Sequence, residues 1–284
     1  MSRFLENLNY PGFLTTYNPF FLKNMSKVME RTVKAINERE KVVIYGICSS
    51  DSICGVSLLL LLFKYLNADV EYYIQDSISR DISSDNIENH IKYLGPKLMI
   101  TVGCRPQSQN EIELCKNIGL DFIVLDNEKE NYDNIIAINP NQKDCLYKFK
   151  GLSLSGIAFK LAQALSMYYD MKCIAKYVDL VLLGTLASGM PIRDENEIFI
   201  ENGLKQAARS KNYGVNALIR ANNLEIINID TMTTLAECIK PTTNAVGRMD
   251  NARIAVELFT TTEAYRAKQI AKYLINEVNN YVSL

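Results

Sequence analysis

Apolar residues along this chain gather into short unbroken runs separated by polar loops and by stretches of helical length. Residues 41–45, Lys41-Val42-Val43-Ile44-Tyr45, form a β-branched run that ends in Gly46 and a polar loop, which predicts a strand. Residues 70–74, 98–102, 122–125 and 135–138 have the same character, the last closed by Asn139-Pro140. Between them, residues 54–66 and 110–117 have the length and composition of helices. A helix of mixed polarity is expected over residues 23–37, behind an extended entry at 17–21. Strands that are apolar throughout and alternate with helices point to a parallel sheet covered on both faces.

The pattern changes after Ser153. Residues 155–167 carry apolar side chains at helical spacing, and residues 174–186 read as a helix apolar on nearly every side and therefore buried. Helices dominate the rest, up to a last one over 262–282. The fold class expected is α/β, within a domain over 1–261: a parallel sheet flanked by helices over about 20–145, and a helical subdomain over about 150–261. A long C-terminal connecting helix follows at 262–284. In open parallel sheets ligands collect beyond the carboxyl ends of the strands. The informative loops are therefore residues 46–52, 103–106 and 126–130, with the end of the buried helix near Ser188.

Composition narrows the function classes. The chain has 284 residues, 48% hydrophobic and 22% charged, which suits a folded globular protein rather than a disordered one. With 31 basic and 32 acidic residues the formal net charge is -1, so no global field draws the chain to a phosphate backbone and any nucleic-acid contact needs a local patch. The single histidine, His90, sits in a polar segment that reads as a solvated helix. Seven scattered cysteines with no Cys-x-x-Cys argue against a Cys/His zinc site and for reduced thiols, hence a cytoplasmic setting. No apolar run approaches bilayer length, and no membrane partner is expected.

The loops at the predicted strand ends carry a family resemblance. The run Tyr45-Gly46-Ile47-Cys48-Ser49-Ser50-Asp51-Ser52 resembles the first motif of RecJ-type members of the DHH phosphoesterase family, in which Gly is followed by Asp-Tyr-Asp-Ala-Asp-Gly. Only the third aspartate survives, as Asp51, with Ile47 and Ser49 at the other two positions. The second motif, Val-Asp-Cys-Gly in the family, reads Val102-Gly103-Cys104-Arg105; the third, Asp-His-His, reads Asp126-Asn127-Glu128. The fourth, Gly-Thr-Ile-Ala-Asp, reads Gly184-Thr185-Leu186-Ala187-Ser188. Asn139-Pro140, Ser155-Gly156-Ile157 and Asn244-Ala245-Val246-Gly247-Arg248 match the scaffold between and after the motifs, and the resemblance runs unbroken over about residues 17–284. Where the family commonly shows Glu-Asn-Arg, this chain has Glu195-Asn196-Glu197.

The resemblance implies 5′-3′ hydrolysis of single-stranded DNA by paired Mn²⁺ or Mg²⁺ ions about 3.5–4 Å apart. Hard cations need anionic oxygen or imidazole ligands. Across the four motifs only Asp51 and Asp126 keep the family's residue, with Glu128 as a substitute ligand; Ile47 and Gly103 cannot ligate through a side chain. The expectation is a dismantled metal site, no resident cofactor unless a residual site takes Mn or Mg, and a fold stable without divalent ions. Asp51 and Asp126 read more naturally as loop residues bonded to nearby backbone amides, and Cys48 and Cys104 as buried thiols. The family pattern lets Asn244 and Arg248 contact a phosphate; they serve equally as braces between helices and sheet. RecJ-like enzymes continue into a second domain with a Gly-Gly-Gly-His-type motif and an oligonucleotide-binding domain, and both are expected to be absent from a sequence that stops at Leu284.

Three readings stay open. The chain is a non-catalytic scaffold that associates with single-stranded nucleic acid or with a protein partner in DNA repair; or a residual phosphoesterase built on Asp51, Asp126 and Glu128 around one ion; or a nucleotide sensor whose loop Cys48-Ser49-Ser50-Asp51-Ser52 offers hydroxyls and amides to a phosphate.

Overall fold

Each apolar run becomes a strand, because in a sheet covered on both faces the central strand positions meet a hydrophobic layer. The computed structural model describes residues 16–130, 132, 135–241 and 248–282. Its strands β1 (Val42–Gly46), β2 (Val70–Ile74), β3 (Leu98–Val102), β4 (Asp121–Leu125) and β5 (Ala137–Ile138) all pair in parallel, in the order β2-β1-β3-β4-β5. β1 and β3 are buried at every position. The register sets Gly46 beside Ile74 and Val102, and Val102 beside Leu125, so the loops after these strands leave the sheet at one level.

The helices are α1 (Met25–Asn37), α2 (Ser50–Tyr65), α3 (Ser84–Asn86), α4 (Lys92–Leu94) and α5 (Gln109–Asn117) in the sheet region. After β5 come α6 (Leu154–Tyr168), α7 (Val178–Ser188), α8 (Glu195–Ala207), α9 (Tyr213–Ala221), α10 (Ile229–Cys238), α11 (Arg248–Thr260) and α12 (Ala264–Val282). α2 is the pivot: it packs against α6, α7 and α11 and is buried along almost its whole length. α12 packs on α9 and α11. Among the described residues no helix is long and apolar enough to cross a membrane.

Three segments depart from the expected pattern. α2 begins at Ser50, four residues earlier than its apolar stretch, because the Ser49 hydroxyl caps it by accepting from Ser52 N and its polar first turn is held by long-range bonds. The entry at 17–21 is not extended throughout: Pro19–Phe21 is a 3₁₀ turn with Asn18 accepting from Phe20 N and Pro19 supplying the preset φ. The buried helix starts as a 3₁₀ turn, Ile174–Tyr177, before α7. His90 lies in a π-helical turn (Ile87–Ile91) between α3 and α4, exposed and stacked on Tyr73 at 5.2 Å between ring centroids. Asn244 lies outside the described residues, as does the side chain of Arg248.

A buried ion pair joins the helical part to the chain entry. Lys160 of α6 and Glu195 of α8 are 0% and 1% exposed and lie 2.6 Å apart. Tyr147 donates its hydroxyl to Glu195, Tyr17 N donates to the same carboxylate at 2.8 Å, and Lys160 Nζ donates to Tyr17 O at 2.9 Å. Burial lowers the Lys160 pKa to about 8 against the pull of Glu195.

Candidate functional site

The three loops at the carboxyl ends of β1, β3 and β4 do come together, and the segment after β2 joins them. Backbone bonds stitch that segment to the loop after β3: Arg105 N donates to Arg80 O at 2.9 Å, Ile82 N donates to Arg105 O at 3.0 Å, and Asp81 and Arg105 form an isolated parallel bridge. This short ladder sets the Arg80 and Arg105 side chains next to each other, pointing at the loop after β4.

Asp126 lies between them. It is 0% exposed; Arg80 Nη1 stands 2.7 Å from Oδ1 and Arg105 Nη1 stands 3.3 Å from Oδ2. The Tyr132 hydroxyl donates to Oδ2 at 2.8 Å, and Asn127 N and Glu128 N donate to Oδ1 at 2.7 and 3.3 Å. Each guanidinium also holds a second acid, Arg80 with Glu128 at 3.2 Å and Arg105 with Glu130 at 3.1 Å. Asn127 accepts from Arg80 Nη1 at 3.2 Å and donates to Leu152 O at 3.1 Å. The carboxylates of this loop thus meet guanidinium and hydroxyl donors. Burial, and after it the negative field of Asp126, raises the Tyr132 and Cys104 pKa values far above their ordinary ranges.

Asp51 has different hydrogen-bond partners. Its carboxylate accepts from Leu154 N at 2.7 Å and from Ser155 N and Oγ at 2.9 and 2.6 Å. It therefore caps the first turn of α6, where unpaired N–H groups and the positive end of the helix dipole favour an anion. Burial pushes its pKa up to about 6, with the hydrogen bonds from Ser155 and Leu154 acting in the opposite sense. Gly184 of α7 makes room for this contact, since a Cβ there would fall 2.9 Å from Asp51 Oδ1 and closer still to Ser155 Oγ.

The remaining motif positions are taken up by packing. Ile47 is buried in the core. Gly103 has φ +88°, and a Cβ on it would fall 2.6 Å from Leu154 Cδ1 and 3.3 Å from Ile47 Cδ1, so apolar side chains fill the space where the family's aspartate would stand. Ser188 Oγ donates to Thr185 O at 2.7 Å and accepts from Met190 N at 3.1 Å, closing the end of α7. In the first loop, Cys48 N donates to Ser77 O, and Ser52 Oγ donates to Val102 O while accepting from Ile47 N. Cys48 and Cys104 are both buried thiols. Among the described residues no group of three or more His, Cys, Asp or Glu side chains is placed to hold one metal ion.

Arg80, Tyr132 and the Lys160–Glu195 pair carry no local signal in the sequence. Arg105 does. The second motif loses its aspartate at Gly103 and gains a cation two residues later, a paired change that could have directed attention to a guanidinium in the cleft.

Comparison with known proteins agrees with this fold. A family model described as the N-terminal domain of the DHH family matches residues 41–185. The chain is 32% identical over 259 residues to the single-stranded-DNA-specific exonuclease RecJ of Bacillus subtilis (strain 168), covering 90% of this chain and 32% of that protein. It is 29% identical over 270 residues to the RecJ of Haemophilus influenzae, covering 89% and 47%. The crystal structure of RecJ in complex with Mn²⁺ from Thermus thermophilus shares the fold with a TM-score of 0.80 at 21% identity, over 96% of this chain and 40% of that one. The chain spans 32% to 47% of the length of the curated RecJ relatives it matches. From its parallel sheet, its ordered motif positions and the family match, this chain belongs to the DHH family and has a RecJ-like fold.

Proposed function

We propose that this chain is a RecJ-like DHH domain that no longer hydrolyses phosphodiesters and acts as a non-catalytic module associated with single-stranded nucleic acid. The observation that carries the reading is the clamp of Arg80 and Arg105 on the buried Asp126. The relatives are named single-stranded-DNA-specific exonucleases, and a solved one holds Mn²⁺. A hard divalent ion needs several anionic oxygens converging on one point. Here the oxygens of Asp126 receive two guanidiniums, a phenol and two amides, and those of Asp51 point to the start of α6. Positions 47 and 103 offer no side-chain donor. This donor set does not fit a pair of Mn²⁺ or Mg²⁺ ions. In place of metal charge, two permanent cations neutralise Asp126.

The other readings have less support. A one-ion phosphoesterase needs Glu128, which Arg80 engages, and Asp51, whose two oxygens are taken by Leu154 and Ser155. A phosphate-binding loop at 48–52 needs donors that bond within the protein instead.

The test is incubation of a labelled single-stranded oligonucleotide with the protein and Mn²⁺. The expected outcome is a complex with uncut strand. Shortening of the strand that Asp126→Ala abolishes would overturn the proposal.

A further inference from the structure

A second cavity lies off the strand-end cleft, at the β5 edge of the sheet. Its volume is about 990 Å³, and Lys23, Lys27, Lys129 and Lys143 stand around it with Tyr132, Ile135 and Ile136. All four lysines are exposed. Among the described residues none of the four is in an ion pair, and Lys23 Nζ donates only to the Lys143 carbonyl at 2.9 Å. The one carboxylate among the described lining residues, Glu130, is held by Arg105 at 3.1 Å. The groove therefore keeps its positive charge in a chain whose net charge is -1. Lys129 and Asn141 also line the cleft beside Asn127, where Lys148, Lys150 and Arg193 stand with Glu128 and Asp194, so the two cavities share part of their lining.

We infer that this lysine-lined groove at the β5 edge binds the phosphate backbone of a single-stranded nucleic acid and leads it past the clamped site. The inference rests on the non-hydrolytic, nucleic-acid-associated reading above. The ligand class follows from what the edge offers. A peptide adding a strand to β5 would need the outward backbone groups of Ala137, but Ala137 O already accepts from Asn24 Nδ2 at 3.1 Å and Gln142 Nε2 at 2.9 Å. Phosphates need only cations at spaced points along a groove, and the apolar Ile135 and Ile136 provide a surface tolerant of any base.

The experiment is fluorescence anisotropy of labelled oligothymidylate with the full chain, in EDTA, across a salt series. Four phosphate contacts predict a log–log salt slope of roughly −3 for a single strand, and Lys27→Ala/Lys143→Ala should reduce it to about −1.4 and weaken binding about tenfold. Lys205→Ala/Lys211→Ala, exposed lysines in the last turn of α8 and just beyond it, should change neither. If the groove variant binds with the affinity and slope of the unaltered chain, the groove is wrong and the nucleic-acid reading stands. If the unaltered chain fails to bind even at low salt, the groove and that reading fall together.

Discussion

Arg80 Nη1 lies 2.7 Å from Oδ1 of Asp126, the one carboxylate of the family's naming motif that this chain retains, and Asp126 is wholly buried. An aspartate so placed needs compensating charge, because a buried ion without partners is costly by several kcal/mol or more. Metal ions would be one source of that charge. Arg80 and Arg105 are another, built into the chain and present whatever the solution contains.

Arg105→Met tests that dependence. The substitution keeps the length and apolar stem of a side chain 11% exposed but leaves Asp126 with one guanidinium and Glu130 with none. Stability should fall by about 2–3 kcal/mol, read from urea unfolding, because the remaining donors only partly compensate the buried charge. Adding Mn²⁺ should not recover the loss.

Gly103→Asp would restore the family's residue at the second motif. A side chain there meets Leu154 at 2.6 Å and must adopt φ +88°. The variant should lose at least about 2 kcal/mol of stability, seen as a drop in Tm, and should gain no nuclease activity. The restored aspartate has to displace a packed core before it can reach an ion.

Stability should fall as pH rises from about 4 to about 6. Asp51 and Asp179 are buried, and burial raises both pKa values to about 6 from an ordinary 3.8. Between those values the folded chain holds a proton that the unfolded chain has released, so the stabilisation is full below pH 4 and gone above pH 6, at roughly 3 kcal/mol for each group. Asp179 accepts from Ser210 Oγ at 2.6 Å and Leu180 N at 2.9 Å, an environment that asparagine also satisfies. Asp179→Asn should flatten about half of the decline in Tm between pH 4 and 6; an unchanged profile would count against this assignment.

Lys160→Met should be among the most damaging single changes outside the cleft. It strands Glu195, 1% exposed, beside Tyr147, at a cost of about 3–5 kcal/mol. Pairing it with Glu195→Gln should recover a large part of the loss, since the charge is then removed along with its partner.

The sheet was legible because it obeys a local rule. β2 and β3 coincide with residues 70–74 and 98–102; β3 is buried at every position, as a central strand covered on both faces must be, whereas β2 lies at the sheet edge with Glu71 exposed. α2 was legible in its apolar body but not in its first turn, where Ser50 to Ser52 look like loop and are buried by bonds to Val102, Leu154 and Ser155. The site divides similarly. The motif positions 47, 51, 103 and 126 fall together at the strand ends as the loop positions imply. The clamp does not, because Arg80 is 46 residues from Asp126 and its neighbours mark no element. The Lys160–Glu195 pair, with Glu195 in the core, depends equally on tertiary packing.

The most direct measurement is a calorimetric titration of Mn²⁺ into the metal-free chain. With Arg80 and Arg105 in place of metal charge, no binding heat should appear up to millimolar Mn²⁺, and Tm should be the same with and without EDTA. Micromolar binding of one or two ions per chain would show that Asp126 leaves its arginines for metal, and would contradict the account.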